Sequence, residues 1–445
     1  MRLAYAAAAN VARAAALIAP AGHSKLARSL RARRGLISRF QTQTQRLRDP
    51  ARPLVWLHAP SVGEGLQARP VAQALRAAHP EWQIAYTFFS PSAESFAPTV
   101  GADITDYLPF DQASDADAFL DALTPSILVF AKLDVWPILV ERAAARGIPV
   151  VLISGTLAAS SGRRGWWSRQ LLHDAYASLG AVGAIDSGHA ERLAQLGVRR
   201  SALQVTGDTR FDQVWARAQS VDRASPLLAR LASTRLTVVA GSTWPSDDAV
   251  LRAAWPPRLH NISSVVTFPR LIIAPHEPTA EHCAAIEAWA QSDSLRCVRL
   301  SRIEADSGVH DPDVILVDRV GVLGEIYALA DLAFVGGGFH SAGLHSVIEP
   351  AAFGVPVMFG PRCDMSREAG LLIAAGAAHA VQDSEALDAQ LGVWLTDSAR
   401  RRADGAAARA VVERELGATA RSVALIEQSM RKTVPLAPEI GHAER

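Results

Sequence analysis

The sequence predicts an α/β protein built from two Rossmann-like, doubly wound domains. Its 445 residues exceed the usual size of one compact domain, and 49% hydrophobic with 20% charged residues is typical of a globular chain. Short aliphatic runs alternate with longer helical patterns, which indicates successive βαβ units and a mostly parallel sheet. The expected organisation is a basic segment at 1–48, one domain at 49–215, a second at 225–410, and a C-terminal helix with a tail at 411–445.

Two series of apolar runs are predicted to be strands, one on each side of a linker-like stretch at 220–226. The runs lie at 54–59, 84–89, 126–133, 149–154 and 181–186, and then at 236–242, 270–275, 313–318, 332–338 and 355–360. In a doubly wound sheet, ligands bind at the carboxyl ends of the strands. Functional residues are therefore expected in the loops that follow these runs.

Composition excludes several classes of protein. A net charge of +1 shows no polyanion-binding signature, so no nucleic-acid partner is expected. Cys283, Cys297 and Cys363 are widely spaced, which argues for a reducing compartment and against structural zinc. The acidic pairs at 115–117 and 311–313 lie in polar stretches, so no metal site is expected. The motifs of serine hydrolases, P-loop NTPases and dinucleotide enzymes are missing.

The N-terminal segment is strongly basic. No Asp or Glu precedes Asp49, and no apolar run reaches the roughly 20 residues that cross a bilayer. An alanine-rich helix followed by an arginine cluster favours an amphipathic anchor on an anionic membrane surface, with a solvated basic helix or a cleaved targeting segment as alternatives. The basic residues are Arg2, Arg13, Lys25, Arg28, Arg31, Arg33, Arg34, Arg39, Arg46 and Arg48.

A glycine-rich stretch at 335–360 is the strongest local signal. A predicted strand ends at Val335, and three glycines let the backbone approach a ligand closely. Residues 341–346 are expected to lead into a helix whose N-terminal amides bind phosphate. Glu349 on that helix is expected to accept hydrogen bonds from ribose hydroxyls. A tight turn with a solvated Glu349 is the alternative, and the combined pattern favours nucleotide binding.

A second signal, HAPSVGEG, directly follows the first strand. Gly63 and Gly65 flank Glu64, which is expected at the start of a helix on the ligand side of the sheet. A carboxylate there can take a proton from an attacking sugar hydroxyl. The alternative is a charge that complements the helix dipole.

Polar residues follow several other predicted strands. Each is a weak signal alone, but all lie at carboxyl ends, so together they offer cations for an anionic donor and carboxylates for orientation. They are Lys132, Asp134, Asp208, Thr209, Arg210, Ser242, Thr243 and His276.

Taken in order, these segments resemble the bacterial Kdo transferases, which transfer 3-deoxy-D-manno-octulosonic acid (Kdo) from CMP-Kdo to a lipid A precursor. The resemblance runs from about residue 54 to 381 and includes HAPSVGEG, GSTWP and GLHSVIEPAAFGVPVMFGP. It implies a GT-B fold, with two Rossmann-like domains facing across a cleft. It also implies an inverting, metal-independent displacement of CMP, with CMP-Kdo as co-substrate and no separate cofactor. The protein would then work at the cytoplasmic face of the bacterial inner membrane.

The resemblance also implies roles for individual residues. Glu64 is the catalytic base, and Glu349 binds the ribose. The resemblance further implies that Gly337, Gly338, His345 and Ser346 contact CMP. The loops at the strand ends add Ser61, Gly63, Lys132 and Asp134 as expected acceptor-side and orienting residues, and Arg210, Ser242, Thr243 and His276 as expected donor-binding residues.

The chain departs from the family pattern at cleft positions. Lys132 and Asp134 stand in a segment that reads ETELWP in many members, Pro275 replaces an arginine before His276, and Ser346 replaces an asparagine. Lys132 and Arg210 are therefore the candidates to hold the donor phosphate and the Kdo carboxylate. Two alternatives stay open: a GT-B enzyme that uses a UDP-sugar on a lipid-linked acceptor, and a non-catalytic sugar-binding protein.

Overall fold

The structure is a computed structural model that describes residues 24–255, 268–306, 308 and 311–432, together with 5, 9–11, 13 and 14. Most of the predicted alanine-rich anchor helix and the end of the C-terminal tail lie outside the described residues. Within the described part of the chain, no helix is long and apolar enough to cross a bilayer.

The chain divides into two compact units. Unit 1 comprises Met1–Gln213 with Leu416–Arg445, and unit 2 comprises Val214–Glu415. The first boundary lies inside a helix, Thr209–Ser220, and so precedes the linker-like stretch at 220–226. That stretch is a short connection between this helix and the next one.

Unit 1 contains a seven-stranded parallel sheet in the order β3-β2-β1-β4-β5-β6-β7. Its central strands are buried along their whole length, as expected for a parallel sheet covered by helices on both faces. The strands are β1 (Leu54–His58), β2 (Gln83–Phe88), β3 (Ile104–Tyr107), β4 (Ile127–Ala131), β5 (Val150–Gly155), β6 (Ala181–Ala184) and β7 (Leu203–Val205).

The helices of unit 1 follow the predicted alternation with the strands. They are α1 (Lys25–Ala32), α2 (Leu36–Leu47), α3 (Val62–Ala78), α4 (Ala113–Leu123), α5 (Pro137–Ala145), α6 (Trp166–Ala177), α7 (Ser187–Leu196) and α8 (Thr209–Ser220), the last of which extends into unit 2. Short 3₁₀ turns lie at Pro91–Ala93, Ala97–Val100, Gly162–Arg164 and Arg200–Ala202.

Unit 2 repeats this plan with a second seven-stranded parallel sheet, in the order β10-β11-β9-β8-β12-β13-β14. Its strands are β8 (Thr237–Thr243), β9 (Arg270–Pro275), β10 (Cys297–Arg299), β11 (Val314–Leu316), β12 (Leu332–Val335), β13 (Val357–Phe359) and β14 (Ala378–Ala380). Its helices are α9 (Pro226–Arg230), α10 (Pro245–Ala254), α11 (Ala280–Ser292), α12 (Leu300–Ala305), α13 (Leu323–Ile326), α14 (Ile348–Ala352), α15 (Arg367–Ala374), α16 (Ser384–Thr396) and α17 (Ser398–Arg414), with a 3₁₀ turn at Tyr327–Leu329.

The last helix, α18 (Ala418–Arg431), returns to unit 1. The carboxylate of Asp212 caps it by accepting hydrogen bonds from the amides of Gly417 and Thr419, both at 2.6 Å. The guanidinium of Arg421 donates to the carbonyl of Thr206 at 2.8 Å. The C-terminal helix is therefore an integral part of the first unit.

Four strands have no counterpart among the predicted strands: β3, β7, β10 and β14. All four are the outer strands of their sheets and have three or four residues. An outer strand pairs on one side only, so its sequence does not need a continuous apolar run. Local sequence therefore does not reveal these strands, and their pairing comes from the tertiary fold.

Several arginines of the basic N-terminal segment attach α1 and α2 to unit 1. Arg33 is only 7% exposed, donates to the carbonyls of Leu108 and Phe89 at 3.0 Å each, and stacks on the Phe89 ring at 3.7 Å. Burial lowers the pKa of its guanidinium to about 10. Arg39 forms a bidentate pair with Asp106 at 2.9 Å. Part of the charge that suggested a membrane surface is therefore structural.

Replacing Arg33 should destabilise unit 1. In Arg33→Gln, the buried carbonyls of Leu108 and Phe89 lose their donors, so the free energy of unfolding should fall by about 2–4 kcal/mol. Urea denaturation followed by circular dichroism measures the change. Lys25→Gln, which removes an exposed charge from the same segment, is the control and should leave the midpoint unchanged. Equal midpoints for the two variants would contradict a structural role for Arg33.

Candidate active site

Several of the candidate residues lie at one place in each sheet. In unit 1 the strand order reverses between β1 and β4, and in unit 2 it reverses between β8 and β12. At such a switch point the loops diverge to opposite faces and leave a crevice at the carboxyl ends of the strands. Glu64 and Lys132 follow the two strands at the first switch point. Ser242 and Gly337 lie at the ends of the two strands at the second.

Glu64 lies in the first turn of α3 and is held by two partners. Lys132 Nζ lies 3.0 Å from Glu64 Oε1, and the Ser61 hydroxyl donates to Glu64 Oε2. The Glu64 side chain is 16% exposed and that of Lys132 is 43% exposed. Burial raises the pKa of the Glu64 carboxyl, but the hydrogen bond from Ser61 and the charge of Lys132 outweigh it, so the pKa lies below its ordinary value. Glu64 is therefore ionised at neutral pH.

The two glycines beside Glu64 differ. A Cβ on Gly65 would meet the Phe96 ring at 2.5 Å, so packing alone requires glycine there. Gly63 is exposed, and a Cβ there would meet nothing closer than Ser61 Oγ at 3.8 Å. Of these two glycines, Gly63 is therefore the one whose backbone is accessible beside the Glu64 carboxylate.

The loop after β4 is held in an unusual conformation. Lys132 has a φ of +69°, a region that non-glycine residues rarely adopt. Its backbone stays bonded to β5 and the loop that follows, because its amide donates to Ile153 and its carbonyl accepts from Thr156, at 2.9 and 3.0 Å. Asp134 accepts a hydrogen bond from Arg163 at 2.8 Å. Asp134 is thus paired with a cation that the sequence did not single out.

His58, at the end of β1, stabilises the loop that follows β4. Its Nε2 accepts the indole N–H of Trp136 at 3.1 Å, and its Nδ1 lies 3.0 Å from the Thr87 hydroxyl. Full burial lowers the pKa of His58 to about 4, so the ring is neutral and its proton is on Nδ1. His58 is a structural support that the sequence did not identify.

Arg210 is paired with a buried carboxylate. Its Nε and Nη2 lie 2.9 and 2.6 Å from Asp208 Oδ2, and its amide donates to Oδ1 at 3.0 Å. Burial raises the pKa of Asp208, but the charge and hydrogen bonds of Arg210 outweigh it and lower the pKa overall. One edge of the guanidinium therefore already holds a carboxylate of its own unit.

In unit 2 the glycine-rich loop is organised by Asp247, which is completely buried. Its carboxylate accepts hydrogen bonds from the amides of Gly337 at 2.7 Å, Phe339 at 3.1 Å and Trp244 at 2.9 Å. The amides of Gly337 and Phe339 are therefore bound to a carboxylate of their own unit. The acidic residue three positions after Trp244 in GSTWPSD was the available signal, since it completes a helix cap.

Close packing of backbone explains the three glycines. A Cβ on Gly336 would meet Ser242 O, one on Gly337 would meet Gly343 O, and one on Gly338 would meet Gly360 N, at 2.3, 2.1 and 2.4 Å. Residues 341–346 lead into the short helix α14, Ile348–Ala352, which has Glu349 in its first turn. The backbone of the glycine-rich loop is therefore closely packed, and the side chains around the loop are the groups available to a ligand.

The side-chain rings of one tryptophan and three histidines stack beside this loop. Trp244 stacks on His340 at 4.2 Å and lies 4.8 Å from His276, which stacks on His345 at 4.4 Å. The Trp244 indole donates to His345 Nε2 at 3.1 Å. Burial, then the neighbouring His276, lowers the pKa of His345 to about 4, so the ring is neutral with its proton on Nδ1. Trp244 and His340 were not predicted site residues.

The remaining donor-side candidates differ in exposure. Ser346 is exposed, and Ser242 is half-buried with a φ of +55°. Thr243 is completely buried, so its hydroxyl cannot reach a ligand, which corrects its predicted contact. Glu349 is half-buried and makes no hydrogen bond to a described residue; burial raises its pKa, partly opposed by the charge of Arg217.

Arg362 is a further cation on this side of the sheet that the sequence did not single out. It follows β13, its amide donates to the carbonyl of Gly338 at 3.0 Å, and its side chain is exposed. Among the residues that the structure describes, no three or more His, Cys, Asp or Glu side chains form a group suited to a metal ion.

Asp247→Asn should loosen the glycine-rich loop. The uncharged side chain cannot accept three amide hydrogen bonds as strongly, so the free energy of unfolding should fall by about 2–4 kcal/mol. Hydrogen exchange at Gly337 and Phe339 should become faster. Asp331→Asn is the control, because Asp331 accepts one amide hydrogen bond, from Thr237, at the other end of β8. Unchanged exchange at Gly337 and Phe339 in Asp247→Asn would contradict this role.

Comparison with known proteins gives one consistent result. A profile of the family 3-deoxy-D-manno-octulosonic-acid transferase (kdotransferase) matches residues 28–213. A 3-deoxy-D-manno-octulosonic acid transferase of Bordetella pertussis is 33% identical over 401 residues, which cover 88% of this chain and 90% of the relative. One of Chlamydophila psittaci is 30% identical, covering 69% of this chain and 70% of the relative.

Among solved structures, the UDP-GlcNAc 2-epimerase from Neisseria meningitidis bound to UDP-GlcNAc superposes with a TM-score of 0.59 at 12% identity, covering 85% of this chain and all of that one. This likeness concerns the fold alone and confirms the predicted GT-B class of two Rossmann-like units. With the predicted family confirmed by sequence, the chain belongs to the 3-deoxy-D-manno-octulosonic acid transferases, a family of glycosyltransferases.

Proposed function

We propose that this enzyme transfers Kdo from CMP-Kdo to a lipid A precursor, lipid IVA, during synthesis of the lipopolysaccharide core. CMP-Kdo is the co-substrate, and no other cofactor takes part. The observation that supports this most is the ionised Glu64, held by Ser61 and Lys132 at the switch point of unit 1 in a chain of this family.

The proposed reaction is a single inverting displacement that needs no metal. An acceptor hydroxyl oxygen attacks the anomeric carbon of Kdo while its proton passes to Glu64. The bond from that carbon to the phosphate oxygen breaks, and CMP leaves. Ser61 and Lys132 each use one acceptor position of the carboxylate, and a carboxylate has about four, so Glu64 can also accept the substrate hydroxyl.

On the donor side, the partly exposed ring stack and Glu349 support binding of CMP. Glu349 has no hydrogen-bond partner among the described residues, and ribose hydroxyls would supply donors for it. The Nδ1–H of His345 and the hydroxyls of Ser346 and Ser242 are donors suited to phosphate. His276 belongs to the same stack.

The negative charge of CMP and of the Kdo carboxylate needs cations. Lys132 and Arg210 remain the proposed clamps from unit 1, although each is paired with a carboxylate of its own unit. Arg362 is the cation proposed from unit 2. Asp134, fixed by Arg163, is proposed to orient the acceptor.

The N-terminal segment is proposed to hold the enzyme against the cytoplasmic face of the bacterial inner membrane. Lys25 and Arg28 on α1 and Arg46 on α2 are exposed, whereas Arg33 is buried against the folded unit. Each basic side chain near an anionic surface contributes about 1 kcal/mol.

Glu64→Gln should abolish transfer while leaving CMP affinity unchanged. The amide cannot accept the proton, and loss of a general base lowers kcat by about 10²–10⁴-fold. Release of CMP measures turnover, and calorimetry measures CMP binding. Glu94→Gln, an exposed change in the same unit, is the control and should keep full activity. An active Glu64→Gln enzyme would exclude Glu64 as the base.

Lys132→Met should move the acidic limb of the pH–rate profile upward. Lys132 lowers the pKa of Glu64, whereas burial raises it, so removing the cation raises the pKa and Glu64 loses its proton only at higher pH. The profile of kcat/KM against pH measures the shift. Lys132→Arg keeps the charge and should keep the limb in place. A limb that does not move in Lys132→Met would exclude electrostatic control by this residue.

The donor is tested by direct competition. CMP-Kdo, generated in situ because it is labile, should be consumed with lipid IVA, whereas UDP-sugars should not. Mass spectrometry of the lipid product identifies the sugar and the number of residues added. Consumption of a UDP-sugar alone would overturn the proposed function.

A further inference from the structure

Two adjacent tryptophans at the start of α6 are largely exposed. Trp166 is 60% exposed and Trp167 is 69% exposed, and their rings meet edge to face at 4.5 Å. The buried side of α6 uses other residues, Leu172, Ala175 and Tyr176. Tryptophan is enriched where one part of its ring contacts an apolar phase and its N–H stays in water. This pair is therefore suited to an apolar partner that also offers a polar boundary.

The charged residues that flank the pair along the chain have one sign. Arg164 precedes it and Arg169 follows it, and both are exposed. No Asp or Glu occurs between Glu141 and Asp174. Tryptophans beside arginines, without acidic residues, complement the anionic headgroups and the shallow apolar layer of a bilayer surface.

The same segment is tied to the loop beside Glu64. Arg163 donates to the carbonyl of Leu133 at 2.6 Å and to the carboxylate of Asp134 at 2.8 Å. The Tyr176 hydroxyl, from the far end of α6, donates to the same carbonyl at 2.8 Å. Leu133 directly follows Lys132, the partner of Glu64. A surface held by α6 is therefore mechanically linked to the proposed base within unit 1.

We propose that Trp166, Trp167, Arg164 and Arg169 form a bilayer-docking surface that inserts into the headgroup layer of an anionic membrane. The surface consists of residues outside the basic N-terminal segment, and its purpose rests on the proposed function, since a lipid-borne acceptor must be reached at the membrane. A second copy of the chain fits less well, because a two-fold contact through the tryptophans would bring the flanking arginines of both copies together.

The first test uses the full chain and vesicles without any acceptor. Trp166→Ala/Trp167→Ala should partition at least about tenfold more weakly onto phosphatidylglycerol–phosphatidylethanolamine vesicles, because the apolar area that enters the interface is lost. Trp166→Phe/Trp167→Phe should restore most of the binding. Ile373→Ala/Val393→Ala, which truncates two exposed apolar side chains of unit 2, is the matched control and should bind like the wild type.

A second measurement reports insertion directly. Lipids brominated in the acyl chain should quench part of the tryptophan fluorescence of the wild type, and Trp166→Phe/Trp167→Phe should lose that quenched part. Arg169→Gln should weaken binding about fivefold at low salt, and the difference should shrink at high salt. Arg200→Gln removes another exposed arginine of unit 1 and should have no effect.

Three outcomes would overturn the docking surface. They are unchanged partitioning of Trp166→Ala/Trp167→Ala, quenching that persists in Trp166→Phe/Trp167→Phe, or a wild-type dimer that the alanine variant dissociates in sedimentation velocity. The proposed function fails separately. Transfer to a detergent-dispersed acceptor should be retained by the alanine variant, and absence of transfer in a wild type whose tryptophans are quenched would overturn the function and leave the docking surface intact.

Discussion

The site depends on one constraint of parallel sheets. All strands of such a sheet end on the same side, and the loops diverge only where the strand order reverses. Unit 1 reverses between β1 and β4, and unit 2 reverses between β8 and β12. Glu64, Lys132, the end of β8 and the glycine-rich loop lie at these two places. The short loops there let side chains from strands far apart in sequence meet without a dedicated scaffold.

Carboxylates fix the geometry at both switch points, in different ways. Asp247 is buried and accepts hydrogen bonds from three backbone amides, so it determines the shape of the glycine-rich loop. The Glu64 carboxylate is partly exposed and accepts hydrogen bonds from only two side chains, those of Ser61 and Lys132. A fully satisfied carboxylate is a structural element, whereas a partly satisfied one can still exchange a partner for substrate. This difference supports Glu64, and not Asp247, as the reacting group.

The arginines of unit 1 show that a run of basic residues in a sequence need not form a cationic surface in the folded protein. The basic N-terminal segment looks like a uniform cationic surface in the sequence, yet Arg33, Arg39 and Arg48 bond to carbonyls or carboxylates of the folded unit. By contrast, the sequence does not predict a membrane contact at Arg164 and Arg169, because they belong to no long basic run. Their neighbours Trp166 and Trp167 stand out only once burial is known.

The sequence by itself determined the fold class, the central strands of both sheets, the family, and the positions of Glu64 and the glycine-rich stretch. These follow from continuous apolar runs and from motifs whose residues are adjacent in the chain. Only the tertiary structure decided the four outer strands, the place of α18 in unit 1, the burial of Thr243, and the pairing of Glu64 with Lys132 and of Gly337 with Asp247. Each of these depends on contacts between residues far apart in sequence, such as Lys132 with Glu64 or Asp247 with Gly337. Local patterns contain no record of such pairings, because they arise only when the strand order brings the loops together.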